Sequence, residues 1–331
     1  MDILFYSSRK YDQKSFKQAN ENFNHNLNFI PDQLTTDSAK LAAGHEAVCC
    51  FVNDPVDKES LKIFAESGVK LLALRSAGFN NVDLKAAAEY GIKVSRVPQY
   101  SPDAVAEYAA TLVLALVRKV TRAYIRVRES NFTLDGLLGF NLSGKTVGII
   151  GLGRIGLIFA RIMKGFSCNL IGYDLFQQEE FKMLGGRYAS LDDVISQSSV
   201  ISLHCPLLSD NFHLISNREI KMMRKGAFLI NTSRGPLVDT KAVIAGLSSG
   251  HLGGAGFDVY EGESKLYFQN HLDEIIQDSS FLLLRSFPNV IITAHQAFLT
   301  EEALSTISNV TLSNITAFEK NSGTIPDEFL V

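Results

Sequence analysis

The chain has 331 residues, 46% of them hydrophobic and 20% charged, with a formal net charge of −3. That length exceeds one ordinary core and makes two domains the default. The near-neutral balance, without a basic run, argues against nucleic acid and anionic membrane partners.

The chain opens "MDILFYSS", which reads as a first strand and not as a secretory leader. Strands are then expected at 3–6, 47–52, 70–74 and 92–97, with helices at 58–66 and 82–90 between them. This alternation implies βαβ units and a parallel sheet. Ser101 and Pro102 suit the start of a long helix reaching about residue 129. Its segment "AVAEYAATLVLALV" carries Glu107 and is too short to span a bilayer, so a buried helix face explains it. A second alternating series follows, with strands at 145–150, 168–174, 199–204, 226–232, 253–259 and 289–295. Six strands with intervening helices match a doubly wound dinucleotide-binding domain. The long, aromatic-rich stretch 261–288 reads as an insertion over a site, and 301–320 as a last helix.

The four cysteines, Cys49, Cys50, Cys168 and Cys205, form no C-x-x-C pair and read as reduced, packed thiols of a cytoplasmic protein. His204, Cys205 and His213 are conceivable metal ligands, but a strand end and a loop explain them better, and no metal is expected.

"TVGIIGLGRIG" places Gly151, Gly153 and Gly156 directly after a strand and at the opening of a helix. The first glycine permits the tight turn, the second lets backbone approach a pyrophosphate, and the third lets helix and strand pack closely. The N–H groups of Arg154 and Ile155 then face the phosphates. Asp174 ends the next strand, where a carboxylate grips ribose hydroxyls and repels a 2′-phosphate. NAD is therefore expected in preference to NADP.

Ligands of open α/β sheets bind at the carboxyl ends of the strands. Arg234, Glu263 and His295 follow or close the last three expected strands. Each has an ordinary explanation: a surface cation, a solvated acid, a core histidine. Together they form a set that can reduce a 2-keto acid. Arg234 offers a planar fork to the substrate carboxylate. His295 can protonate the oxygen that receives negative charge as hydride adds to carbon. Glu263 would stabilise the imidazolium.

The motifs "GLGRIG…YD", "HCPLLSDNFHLI", "NTSRGPLVD", "GFDVYEGE" and "TAHQAFLT" resemble the D-isomer-specific 2-hydroxyacid dehydrogenases, with the bacterial fermentative D-lactate enzymes the most similar subgroup. The likeness covers nearly the whole chain. It implies two doubly wound parallel-sheet domains, a flavodoxin-like substrate domain and a Rossmann NAD-binding domain, with the active site in the cleft between them. Residues 1–100 and 300–331 would form the substrate domain and 101–299 the NAD-binding domain.

The resemblance further implies Arg234 as carboxylate binder, Glu263 as partner of the histidine and His295 as acid/base. Ala77 and Gly78 would hold the carboxylate with Tyr100 assisting, and Phe51 and Phe298 would wall a small pocket. On the cofactor side it implies Arg154, Ile155, Asp174, Cys205, Pro206, Asn211, Thr232, Ser233 and Asp258, the last facing the nicotinamide carboxamide. Many members carry proline after the catalytic glutamate. Here Ser264 and Lys265 follow, a pattern that resembles the lactate subgroup and argues against phosphoglycerate or glycerate enzymes. The implied reaction is NADH-dependent, reversible reduction of pyruvate to D-lactate by a homodimer or homotetramer. A reductase of bulkier 2-keto acids and a non-catalytic NAD-sensing protein are the alternatives.

Overall fold

Runs of Val, Ile and Leu that are apolar on both faces become the strands of two separate parallel sheets. The structure, a computed structural model, describes residues 1–320 and 329–331. The chain divides into two units, Met1–Ser101 with Leu299–Val331, and Pro102–Phe298.

The first unit runs β1 (Asp2–Phe5), α1 (Lys10–Asn20), β2 (Asn26–Phe29), β3 (Ala47–Cys50), α2 (Lys58–Glu66), β4 (Leu71–Leu74), α3 (Leu84–Glu89) and β5 (Lys93–Ser95). Its five strands lie in the order β2-β1-β3-β4-β5, each pair parallel. Every residue of β3 and β4 is buried, as helices on both faces require.

The second unit begins with α4 (Pro102–Val117) and α5 (Val120–Arg128). It continues through β6 (Thr146–Ile150), α6 (Arg154–Gly165), β7 (Asn169–Tyr173), α7 (Glu179–Met183), β8 (Arg187–Tyr188), α8 (Leu191–Gln197) and β9 (Val200–Leu203). After these come α9 (Asn217–Met222), β10 (Ala227–Asn231), α10 (Thr240–Ser248), β11 (Leu252–Phe257), α11 (Ser279–Ser286) and β12 (Val290–Ile292). The seven strands are ordered β12-β11-β10-β9-β6-β7-β8. The chain therefore winds outward from β6 in both directions, and the switch point between β6 and β9 opens a crevice at their carboxyl ends. One core packs α4 and α6 on one face of this sheet; a second packs α8, α9 and α10 on the other. The chain then returns to the first unit, where α12 (Glu301–Glu319) lies against α1 and β4. Residues 321–328 of the expected substrate domain lie outside the described residues.

Two parallel-sheet α/β units are present as the sequence leads one to expect, with local differences. The edge strands β2 and β8 and the helix α1 escape the apolar pattern. β2 is half polar, β8 has two residues, and α1 buries only Asp12, Phe16 and Ala19. The single helix expected to about residue 129 is broken. It stops at Val117, and Lys119 takes a left-handed backbone (φ +53°) before α5 begins. Gly139 packs directly on the Val117 carbonyl at this break. Among the described residues no helix is long and apolar enough to cross a membrane.

Candidate active site

The glycine turn forms at the carboxyl end of β6. Gly151 has φ +92°, and a Cβ there would lie 2.4 Å from the Cys205 nitrogen, so no side chain fits between β6 and the end of β9. A Cβ on Gly156 would fall 2.0 Å from the Gly151 carbonyl oxygen, which seats α6 against the turn. Gly153, the N-cap of α6, meets nothing within 4 Å, so its backbone borders open space. Arg154 and Ile155 open the helix and present its N–H groups to that space.

Asp174 follows β7 and is tied back to this turn: the Leu152 N–H donates to Oδ2 (2.5 Å) and the Phe176 N–H to Oδ1 (2.9 Å). Beside it, the Ser233 hydroxyl donates to the Cys205 carbonyl (2.6 Å), joining the ends of β10 and β9. The Asn211 amide closes its own loop, accepting from the Leu208 N–H (2.7 Å) and donating to the Pro206 carbonyl (2.8 Å). Burial pushes the Cys205 thiol up to about 11, so it stays protonated at neutral pH. Thr232 Oγ1 is buried without a hydrogen-bond partner, which suits a contact to a bound dinucleotide.

Arg234 directly follows this set. Asn231, buried at the end of β10, donates to the Arg234 carbonyl (2.8 Å) and accepts from the Ser233 N–H (3.0 Å). The guanidinium donates to the Ser233 carbonyl (2.7 Å). A Cβ on Gly235 would sit 2.2 Å from the Tyr260 carbonyl, so the Arg234 turn and the backbone leading to Glu263 touch because position 235 is glycine.

Glu263 and His295 meet. Glu263 Oε1 lies 3.0 Å from His295 Nδ1, and Oε2 accepts from the Tyr260 N–H (2.9 Å). Their side chains are 20% and 17% exposed, reachable by a small substrate yet largely dry. β12 ends at Ile292, earlier than the expected strand to 295, and His295 sits beyond it with φ +52°. Asp258 explains how this corner holds. It is fully buried and accepts from Thr293 Oγ1 (2.6 Å), the Gln296 N–H (2.9 Å) and the Ala297 N–H (2.8 Å). Its carbonyl also accepts from the His295 N–H (2.7 Å). Asp258 thus fastens the backbone around His295.

The sequence did not mark Asn231, Thr293, Gln296 or Tyr108. The Gln296 amide donates to the Tyr108 hydroxyl (2.8 Å), anchoring the histidine loop to α4. A polar residue ending a wholly buried strand is the signal that would have found Asn231.

The remaining candidates lie in the first unit, apart from Phe298 at the end of the second. Phe51 is buried, its ring 4.8 Å from the Arg75 guanidinium, and its N–H donates to the buried Asp54 (2.6 Å). The loop after β4 carries Ala77, whose carbonyl accepts from Arg96 (3.1 Å), and Gly78, whose carbonyl accepts from Ser76 (2.8 Å). Tyr100 and Phe298 are half-buried.

Residues 110–297 match the family model "D-isomer specific 2-hydroxyacid dehydrogenase, NAD binding domain". A "2-hydroxyacid dehydrogenase homolog" of Zymomonas mobilis is 51% identical over 321 residues, 96% of this chain and 97% of that one. The apo structure of D-lactate dehydrogenase from Escherichia coli superposes with a TM-score of 0.92 at 45% identity, covering 100% of both chains. The pyruvate reductase of Chlamydomonas reinhardtii superposes with a TM-score of 0.93 at 42% identity, covering 97% of each.

Proposed function

The chain belongs to the D-isomer-specific 2-hydroxyacid dehydrogenases with an NAD-binding domain, and from that premise we propose that it reduces pyruvate reversibly to D-lactate. Reduced NAD, when bound, supplies the hydride. The pyrophosphate would rest on the open backbone at Gly153 and the α6 N-terminus, with Arg154 and Ile155 donating. The Asp174 carboxylate, fixed to the glycine turn, would accept from the ribose hydroxyls and disfavour a 2′-phosphate. Cys205, Pro206, Asn211, Thr232 and Ser233 would line the cofactor's path along the strand ends.

The single observation that carries the reading is the Glu263–His295 pair at 3.0 Å. With Nδ1 turned to the carboxylate, Nε2 is the nitrogen that would donate to the carbonyl oxygen as it gains charge. Glu263 would hold the imidazole in that orientation, and Asp258 would hold the backbone beneath it. Arg234 would bind the substrate carboxylate by its two-pronged fork, helped by the N–H groups of Ala77 and Gly78 and by Tyr100. Phe51 and Phe298 would close around a methyl-sized side chain. We also infer a homodimer or homotetramer, because α5 and the segment after it expose Tyr124, Ile125, Phe132, Leu134 and Leu138.

The test is NADH oxidation by the purified protein with pyruvate, followed by chiral analysis of the lactate. Turnover to the D isomer, with phenylpyruvate and hydroxypyruvate slower, is the expected result. Tight NADH binding with no turnover on any 2-keto acid would overturn the assignment in favour of an NAD-sensing role.

A further inference from the structure

The connection from β11 to β12 carries more aromatic packing than a plain crossover needs. Tyr260 is buried, donates its hydroxyl to Asp278 (2.8 Å) and sets its ring 5.2 Å from Phe281. Tyr267 is buried as well; its N–H donates to the Glu263 carbonyl (2.8 Å) and its ring meets Phe281 edge-on at 6.4 Å. Both tyrosines thus flank and pin the short turn Glu263–Lys265. The next residue, Phe268, is held with φ +63°. Its ring lies 6.0 Å from the His295 ring, with 39° between the planes.

His295 itself has φ +52°. Left-handed backbone is costly for any residue with a Cβ, and more so for a bulky one. Two such residues meeting ring to ring at the acid–base group is an arrangement that filling a crossover does not require. Glu263 occupies the Nδ1 edge of His295, and the Phe268 ring is a second neighbour standing beside the imidazole.

We infer that Phe268 is a specificity-determining residue: its ring walls the space beside His295 and restricts the enzyme to 2-keto acids with small side chains. The inference rests on the proposed acid–base role of His295 and extends it to substrate size. Two buried tyrosines fix the turn that leads into this residue, and the ring would reject a larger apolar side chain by overlap. Replacing the ring with a smaller group creates room that such a side chain fills.

The experiment compares kcat/KM for phenylpyruvate and for pyruvate in wild type, Phe268→Gly and Phe268→Leu. Glycine deletes the ring and also relieves the left-handed backbone, which guards against a failure to fold. Leucine keeps an apolar side chain of intermediate size. The phenylpyruvate-to-pyruvate ratio should rise by about tenfold or more in Phe268→Gly and by less in Phe268→Leu, with NADH affinity kept. A residue serving the fold alone would lower both substrates together and leave the ratio unchanged. A ratio within about twofold of wild type in both variants would overturn the wall. His295→Gln, assayed alongside, separates the two readings: wild-type turnover there would remove the proton donor, whatever the Phe268 ratio does.

Discussion

Two histidine–glutamate pairs stand at the carboxyl end of the same sheet. His295 meets Glu263 at 3.0 Å, and His213 meets Glu261 at 2.6 Å. Both histidines have left-handed backbones, φ +52° and +53°, and both have a phenylalanine ring beside them. Their wiring differs. Glu263 takes the Nδ1 edge of His295, whereas Glu261 takes the Nε2 edge of His213 and also accepts from Thr240 (3.0 Å). The outer pair is more exposed, its side chains at 30% and 31%. Beneath His295 lies the buried Asp258 with its ladder of backbone bonds; the His213 N–H reaches only the Pro236 carbonyl (2.8 Å). The comparison teaches that the same residue pair can be wired in two ways at one sheet edge. On the function proposed for His295, the nitrogen left facing outward and the rigidity of the backbone behind the ring are what would set it apart from His213.

The largest effect should come from His295→Gln, which lowers kcat by about 10²–10⁴-fold with NADH binding intact by fluorescence titration. The matching His213→Gln enzyme makes the contrast; equal losses in both would erase the distinction drawn here. Next is Asp258→Asn, which cannot accept from two backbone N–H groups and Thr293 as a carboxylate does. It should cost about 2–3 kcal/mol in urea unfolding, with kcat falling more than KM rises. An unchanged melting temperature and rate would show that the histidine corner holds without it.

A third histidine supplies the pH arm. His204 packs on Phe159 (4.9 Å), and Nε2 shares a hydrogen bond with Ser202 Oγ (2.9 Å). Its Nδ1 is buried without a partner, and desolvation pushes its pKa down from 6.5 to about 3. The unfolded chain then binds the proton first, so stability is complete above pH 6.5 and declines as pH falls toward 3. The loss should reach on the order of 2 kcal/mol by pH 5, measured by urea unfolding, and His204→Gln should flatten that slope. Smallest is the stability cost of His213→Gln, under about 1 kcal/mol for a partly exposed pair. A larger loss would mean that this pair holds the cofactor loop.

The dinucleotide turn was legible because its parts are consecutive. A strand, three glycines and a helix start lie within one short stretch, and part of the demand is local: the left-handed backbone at Gly151 and the seat of Gly156 on the Gly151 carbonyl. Arg234, Glu263 and His295 were legible as residue types at strand ends, and Glu263 was expected beside His295 on chemistry and resemblance. Which nitrogen the carboxylate takes was not legible, since the two residues are brought together by a crossover whose path no local signal describes. The Lys119 break in the long helix was hidden for a similar reason: the backbone that packs on it, Gly139 on the Val117 carbonyl, lies beyond the helix. The edge strands β2 and β8 carry too few apolar residues for a periodic pattern to register.

Sequence alone determined the two parallel-sheet units and the cofactor turn, because apolar periodicity and the order strand, glycines, helix are written between near neighbours in the chain; the family was legible only through the resemblance of whole motifs. Only the tertiary structure decided that Asp258 fastens the histidine loop, that Glu263 takes Nδ1, and that Phe268 stands against the imidazole. Those contacts depend on where long connections end in space. That position is set by burial and hydrogen bonding summed over the whole second unit.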